Sequence, residues 1–346
     1  MNSPVPDSRR SVGAVERLLS AYRSPGPYLS AIVPTEAVSD SSRADTLARR
    51  RDELAGLGAT EVMLDALAAR LAVPAPDDAG GQLVWVAADG TTVADFGQEP
   101  PKAPVFRLAE LPDAAPALEW AQWRIPHLIV AVTPGFFELA VFPVDDAPSL
   151  LQFVALGEAL DRCRAVVDEL GIELVVIGGD PDQVTALQRE LTTMLPPSCI
   201  IEPVDADEAP TGDELADATV RRVADLTARR TVDALREFRF LREHGEAVEG
   251  APAVIEALAA GEAELVGPAA RLLVHADPAD RRLAYFGDGA RDVGLEIAPY
   301  LLRSARLVDV AIRAALLQGA RVRIIPSTAD TGPVDDIALT LPRADM

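Results

Sequence analysis

Apolar residues along this chain fall into blocks of two periods, and the blocks alternate. Residues 12–22 carry apolar positions at helical spacing, Ser24-Pro25-Gly26-Pro27 interrupts them, and Tyr28-Leu29-Ser30-Ala31-Ile32-Val33 follows as a strand-like run. Helical spacing returns over residues 41–71, with Gly56 and Gly58 dividing it into two helices. Two β-prone runs, residues 82–86 and 91–96, flank Ala88-Asp89-Gly90, the composition of a hairpin turn. The proline-spaced stretch 98–116 has little periodicity and predicts a surface segment leading to a domain boundary near Pro126.

Beyond that boundary, residues 127–132 and 136–142 read as a second hairpin through Thr133-Pro134-Gly135. An acidic loop at residues 144–148 precedes an expected helix over 150–170, which Gly171 stops. The continuous apolar run 172–177 predicts a buried, parallel strand. It leads into Gly178-Gly179-Asp180-Pro181-Asp182-Gln183, a helix start with Asp180 as N-cap, Pro181 at the first helical position and Gln183 placed to complete a capping box. The helix runs to about Met194, and a short strand follows at 199–203. Thr211-Gly212-Asp213-Glu214 then caps a long helix ending near Gly245.

In the last third, residues 254–260, 271–275, 297–303, 308–318, 322–325 and 337–341 form a compact alternation of helix and strand. The pattern as a whole predicts an α/β and α+β chain of three domains, 1–126, 127–247 and 248–346. The first two are expected to hold mixed sheets and the last a small α/β/α layer. A chain of 346 residues is long enough for that division.

Composition narrows the function. With 49% hydrophobic and 25% charged residues the chain is globular. No apolar run reaches the roughly 20 residues of a membrane helix, and the polar start reads as no signal peptide, so the cytoplasm is expected. The net charge of −22 argues against a surface that binds nucleic acid throughout, DNA included. The acid is uneven: residues 127–250 hold 10 Lys/Arg against 24 Asp/Glu, whereas residues 1–126 hold 12 against 17. Cys163 and Cys199 form no CxxC pair, and His127, His244 and His275 lack metal-ligand spacing, so neither metal nor cofactor is expected.

Arg49-Arg50-Arg51, with Arg43 about two helical turns earlier, is the densest basic run and the candidate RNA-binding patch. Arg222, Arg229 and Arg236 recur every seven residues on the long helix, but Asp225 and Asp233 stand at intrahelical pairing distance from them. Gly178-Gly179-Asp180 offers a strand-to-helix turn that a phosphate favours only without the acidic N-cap. Gly80-Gly81-Gln82 runs straight into an apolar strand and reads as the lead-in to a hairpin.

Tyr22-Arg23-Ser24-Pro25-Gly26-Pro27-Tyr28-Leu29-Ser30, the helix over 43–54, the hairpin over 82–96, Glu173-Leu174-Val175-Val176-Ile177-Gly178-Gly179 and residues 308–325 together resemble the bacterial release-factor-like family, relatives of the archaeal and eukaryotic peptide-chain release factors. The resemblance spans nearly the whole chain. It implies a three-domain architecture and a ribosome-associated, tRNA-site role, including ribosome hibernation under stress, with rRNA and a translation factor as partners.

Release factors carry their catalytic Gly-Gly-Gln on a middle-domain loop; here that place is Val144-Asp145-Asp146-Ala147-Pro148-Ser149, without glycine or glutamine, so no catalytic residue carries over. The stop-codon motif Asn-Ile-Lys-Ser is missing too, and Lys102 is the single lysine. Two other classes stay open beside this reading. One is a hydrolase or nucleotide-binding enzyme using the cleft beyond Ile177, the other an acidic protein-interaction module.

Overall fold

A computed structural model describes residues 13–23, 26–35, 40–76, 79–97, 101, 103–133, 136–143, 149–153, 155–204, 212–275, 277, 280–326 and 332–342, with backbone alone at 40–45 and 212–213. The chain opens with α1 (Ala14–Ala21), β1 (Tyr28–Pro34), the helices α2 (Asp40–Gly56) and α3 (Glu61–Leu71), and the hairpin β2 (Gly81–Ala87) and β3 (Thr92–Gly97). Next come β4 (Val105–Ala109) and α4 (Ala115–Trp123). The four strands form one sheet in the order β3-β2-β1-β4, antiparallel at every pairing rather than mixed. Pro34 pairs with Gly81, so α2 and α3 return the chain to the end of the sheet it left, and β2 must run back along β1.

The proline-spaced stretch departs from expectation. It contains β4, paired along β1, and Leu111, Asp113, Ala114, Ala115 and Leu118 are buried. Pro101 and Pro104 precede the strand and Pro112 and Pro116 follow it, so none removes a donor from the ladder of this edge strand.

The middle elements are β5 (His127–Thr133), β6 (Phe136–Phe142), β7 (Ser149–Phe153), α5 (Leu156–Leu170), β8 (Leu174–Gly179), α6 (Pro181–Met194), β9 (Ile200–Pro203) and α7 (Gly212–Glu243). Their sheet is mixed, in the order β7-β6-β5-β8-β9, with β5, β8 and β9 parallel. The helix expected from 150 starts later, because 149–153 pairs with β6 as a strand whose Leu151 and Phe153 pack on the core. Strand β8 is buried on both faces. Val175 and Ile177 meet α5 and α6, while Leu174 and Val176 meet Leu215, Ala218 and Leu226 of α7.

The remaining elements are β10 (Ala247–Glu249), α8 (Ala251–Ala260), α9 (Glu262–Val266), β11 (Arg271–His275), β12 (Leu283–Phe286), β13 (Val293–Gly294), β14 (Arg303–Arg306), α10 (Leu307–Leu317), β15 (Arg321–Ile325) and β16 (Ile337–Thr340). A mixed sheet β10-β16-β11-β15 has alternating sides: Leu272 and Val274 face α8 and α10, whereas Leu273 packs with Ala234, Leu235 and Phe238 of α7. This is the α/β/α layer expected from the pattern. A second sheet, β13-β12-β14, went unread in the sequence, and residues 297–302 form no regular element. Its strands are two to four residues long, too short for a period-2 signal.

By contacts the chain divides into two compact units, residues 122–230 and residues 14–121 with 231–346. Inside the second unit, Leu18, Tyr22, Trp85 and Leu118 share one buried core with Val254, Leu258, Phe286, Val308 and Ile312. Each such fully buried side chain contributes roughly 1.5–3 kcal/mol.

Candidate nucleic-acid interface

Helix α2 is fixed by Leu47 and Leu54, seven residues apart and buried against Met63, Leu64 and the strands β1 and β2. That stripe leaves Arg49 and Arg50 exposed. Arg49 donates to Thr46 Oγ1 at 3.3 Å, and Arg50 reaches Glu53 at 2.5 Å. Arg51 turns the other way, onto α3, where it donates to Asp65 at 2.7 Å and also to Glu61. Those hydrogen bonds, Asp65 first and Glu61 second, hold its guanidinium above its ordinary pKa. The backbone of Arg43 lies on the same helix, and its side chain is outside the described residues.

The arginines of α7 sit among acids. Arg222 and Arg229 both form ion pairs with Glu202, at 3.2 and 3.3 Å, so Arg229 uses β9 rather than Asp225, while Arg236 pairs with Asp233 at 3.6 Å as the spacing predicts.

The Gly80-Gly81-Gln82 tripeptide is built into a sheet. Gly80 bonds Gly97 at 2.8 Å, Gln82 stands between Val33 and Phe96 in register, and its exposure is 0%. A glutamine in that position cannot be presented on a loop. The alternative tripeptide place, residues 144–148, lies outside the described residues, as do Lys102, most of Thr133-Pro134-Gly135, and the Thr211 end of the expected α7 cap.

At the turn beyond Ile177, Asp180 accepts from the Gln183 amide at 3.1 Å and Pro181 opens α6, as expected. Gly179 has φ +124°, and a Cβ there would stand 2.1 Å from the Val132 carbonyl oxygen, which accounts for this glycine without a ligand. The Asp180 carboxylate fills the helix N-terminus that a phosphate would need.

His127 stacks on Phe142 with ring centres 4.6 Å apart, its pKa lowered by burial, and His244 bonds the Phe240 carbonyl at 2.7 Å. His275 Nδ1 meets Asp336 at 3.0 Å. Burial pushes the Cys163 thiol up to about 12 and Cys199 to about 11. Among the described residues no His, Cys, Asp or Glu group is arranged to hold a metal ion, and no helix is long and apolar enough to cross a membrane.

A charged cluster that the sequence reading missed lies inside the larger unit. Arg306, at the N-cap of α10, donates to Asp309 through Nε at 2.8 Å and through a terminal nitrogen at 3.1 Å, and that nitrogen also reaches Asp113. Arg107 donates to the other Asp113 oxygen at 3.2 Å. The Asp113 amide donates to Ser30, and Trp85 Nε1 donates to the Asp113 carbonyl at 3.0 Å. Asp309 is 1% exposed; burial and the Asp113 charge push it up to about 6 against the pull of Arg306. Burial, then the Asp309 charge, raises the nearby Tyr22 phenol well above its ordinary value. Only the Arg306 and Asp309 spacing was available as a signal, and it reads as an ordinary helix-start pair.

No family model matches the chain, and no curated protein matches it. Among solved structures it is similar to the archaeal Pelota of a ribosome-bound Pelota and ABCE1 model, with 12% identity, TM-score 0.43 and 98% of each chain covered. It is also similar to Saccharomyces cerevisiae Dom34, described as a translation termination-like factor, with 10% identity, TM-score 0.39, and coverage of 75% of this chain and 80% of that one. A third is the archaeal translation termination factor aRF1, with 15% identity, TM-score 0.26, and coverage of 97% and 99%.

Proposed function

We propose that this chain is a non-catalytic, ribosome-associated factor of release-factor-like build that occupies the tRNA site under stress or hibernation, with rRNA and a translation factor as partners. The three-domain division at 126 and 247 and a cytoplasmic location belong to the same reading. One observation carries it. The segments behind the family resemblance bring β1, α2, the β2-β3 hairpin, β8, α10 and β15 in the expected order, while Gly80-Gly81-Gln82 is locked inside a sheet. Contact with rRNA falls to the first segment, through Arg43 and the exposed Arg49 and Arg50, with Arg51 more heavily engaged by its acids. The stretch 127–250 is too acidic for that task, and its helix arginines are paired.

Sucrose-gradient sedimentation of lysates from starved and growing cells tests the reading. The protein should travel with ribosomes, more of it after starvation; a protein that stays at the top of both gradients excludes the role. With purified ribosomes, reversing Arg49, Arg50 and Arg51 to Glu should weaken binding more than reversing Arg222, Arg229 and Arg236. Each lost phosphate contact should also shallow the log-log salt dependence by about one unit.

A further inference from the structure

The small sheet β13-β12-β14 has one face inside the protein and one outside. Ala284, Phe286, Val293 and Ala305 enter the core, so the register puts Leu283, the half-buried Tyr285, Gly294 and Ser304, and Arg306 on the other face, where Arg306 turns into its carboxylate cluster, and alternation adds Leu302 at the opposite end. Leu283, Ile297, Tyr300 and Leu302 are 55%, 76%, 64% and 82% exposed. Isolated exposed apolar residues are common, but Ile297, Tyr300 and Leu302 fall within six residues of one connection, with Leu283 exposed on the sheet it joins.

The connection that bears them is held in place. Leu301 is buried, its amide donates to the Ala298 carbonyl at 2.8 Å, and a Cβ on Gly294 would stand 2.8 Å from its Cδ1. A Cβ on Gly287 would stand 2.6 Å from the Tyr300 carbonyl oxygen. The chain thus packs closely at two glycines while turning its apolar side chains to water.

The surrounding charge selects the occupant. Asp288 and Glu296, in the connections of this sheet, and Glu264, paired with Arg291 of the β12-β13 connection, are exposed. Three nearby cations are paired: Arg291 bonds Glu264 at 2.9 Å, Arg282 bonds Asp280 at 2.8 Å, and Arg303 bonds Asp288 while lying over the Phe286 ring at 4.7 Å; Arg281, beside Leu283, is exposed. An apolar centre with an acidic rim repels phosphate, whether of RNA or of an anionic membrane. A second copy would bring the same rim and another net −22. A basic protein with apolar anchors is complementary on both counts.

We propose that the outer face of β13-β12-β14 and the 295–302 connection dock a basic ribosomal protein through Ile297, Tyr300 and Leu302. The inference rests on the ribosome reading above and names a protein contact beside the arginine contact to rRNA. It is tested with the full chain pelleted with purified ribosomes across a salt series. The variant Ile297→Ser with Leu302→Ser, neutral and at exposed positions, should melt like the parent and bind about tenfold or more weakly. Its salt slope should be unchanged, because no phosphate contact is lost. A photo-cross-linking benzoylphenylalanine at position 297 should attach to a ribosomal protein. Equal binding by parent and variant overturns the docking surface and leaves the ribosome reading intact; a parent that does not pellet overturns both. A shallower slope in the variant, or a cross-link to rRNA alone, identifies a nucleic-acid contact and overturns the proposal.

Discussion

Arg51 and Arg306 make the same set of bonds in two different settings. Each guanidinium is held by two carboxylates, Glu61 and Asp65 in one case, Asp113 and Asp309 in the other. Arg51 lies at the surface between two helices, where water screens the attraction and solvates whatever is left if a partner goes. Arg306 lies where Asp113 and Asp309 have side-chain exposures of 7% and 1%, so its carboxylates have no solvent to fall back on. The difference shows that an arginine between acids is informative only once its burial is known. Outside, it is an adjustable contact; inside, every member of the set is needed once any one is present.

The strongest way to break this contrast is to remove Arg306. Arg306→Met keeps most of the apolar volume but leaves two carboxylates buried without their shared donor, which costs about 3–5 kcal/mol. Trp85 reports on the site directly, since its indole donates to the Asp113 carbonyl. Urea unfolding followed by its fluorescence should show a midpoint well below the parent's. A change of less than about 1 kcal/mol would mean that water reaches the cluster and that the contrast with Arg51 is false.

A second variant sharpens the contrast through pH. Asp309 is more readily protonated in the folded protein than in the unfolded chain, so the folded state binds more protons between about pH 4 and the raised value of about 6. The stability this supplies is complete below the unfolded pKa and is lost as pH rises through the folded one. In Asp309→Asn that component disappears, so the advantage of the parent over the variant should shrink by on the order of 2 kcal/mol between pH 4.5 and pH 7. An advantage that grows over this range would show that Arg306 outweighs burial at Asp309.

The two settings also explain what the sequence could and could not reveal. The α2 arginines were legible because they are consecutive and their helix is set by local periodicity, Leu47 to Leu54. The same holds for the β2-β3 hairpin around Ala88-Asp89-Gly90 and for the Asp180 cap, whose determinants lie within a few residues. The Arg306 cluster was not legible, since Asp113 stands 193 residues away and no local pattern marks either residue for burial. Strand β4 was hidden for a related reason. It is flanked by prolines that suggest a loop, and only its pairing with β1 makes it a strand. Strand β7 was absorbed into the following helix because Leu150 and Leu151 suit either period, and the decision is made by β6.

The smallest effect is the one that completes the comparison. Arg51→Ala removes a guanidinium shared by two carboxylates, as Arg306→Met does, and a count of lost carboxylate partners would put the two variants in the same class. The physical expectation differs. Glu61 and Asp65 are both 72% exposed at their side chains and take up water as soon as Arg51 is gone, so neither is left with an unsolvated charge. Alanine is also the best helix former, which offsets part of what the lost pairs contributed. The melting temperature should therefore move by no more than about 2 °C. What difference there is should fade as sodium chloride is raised to about 0.5 M, because screening removes the parent's attraction without altering the variant. A shift as large as that of Arg306→Met, persisting in high salt, would place Arg51 in a setting as closed as the interior and would remove it from any surface available to RNA.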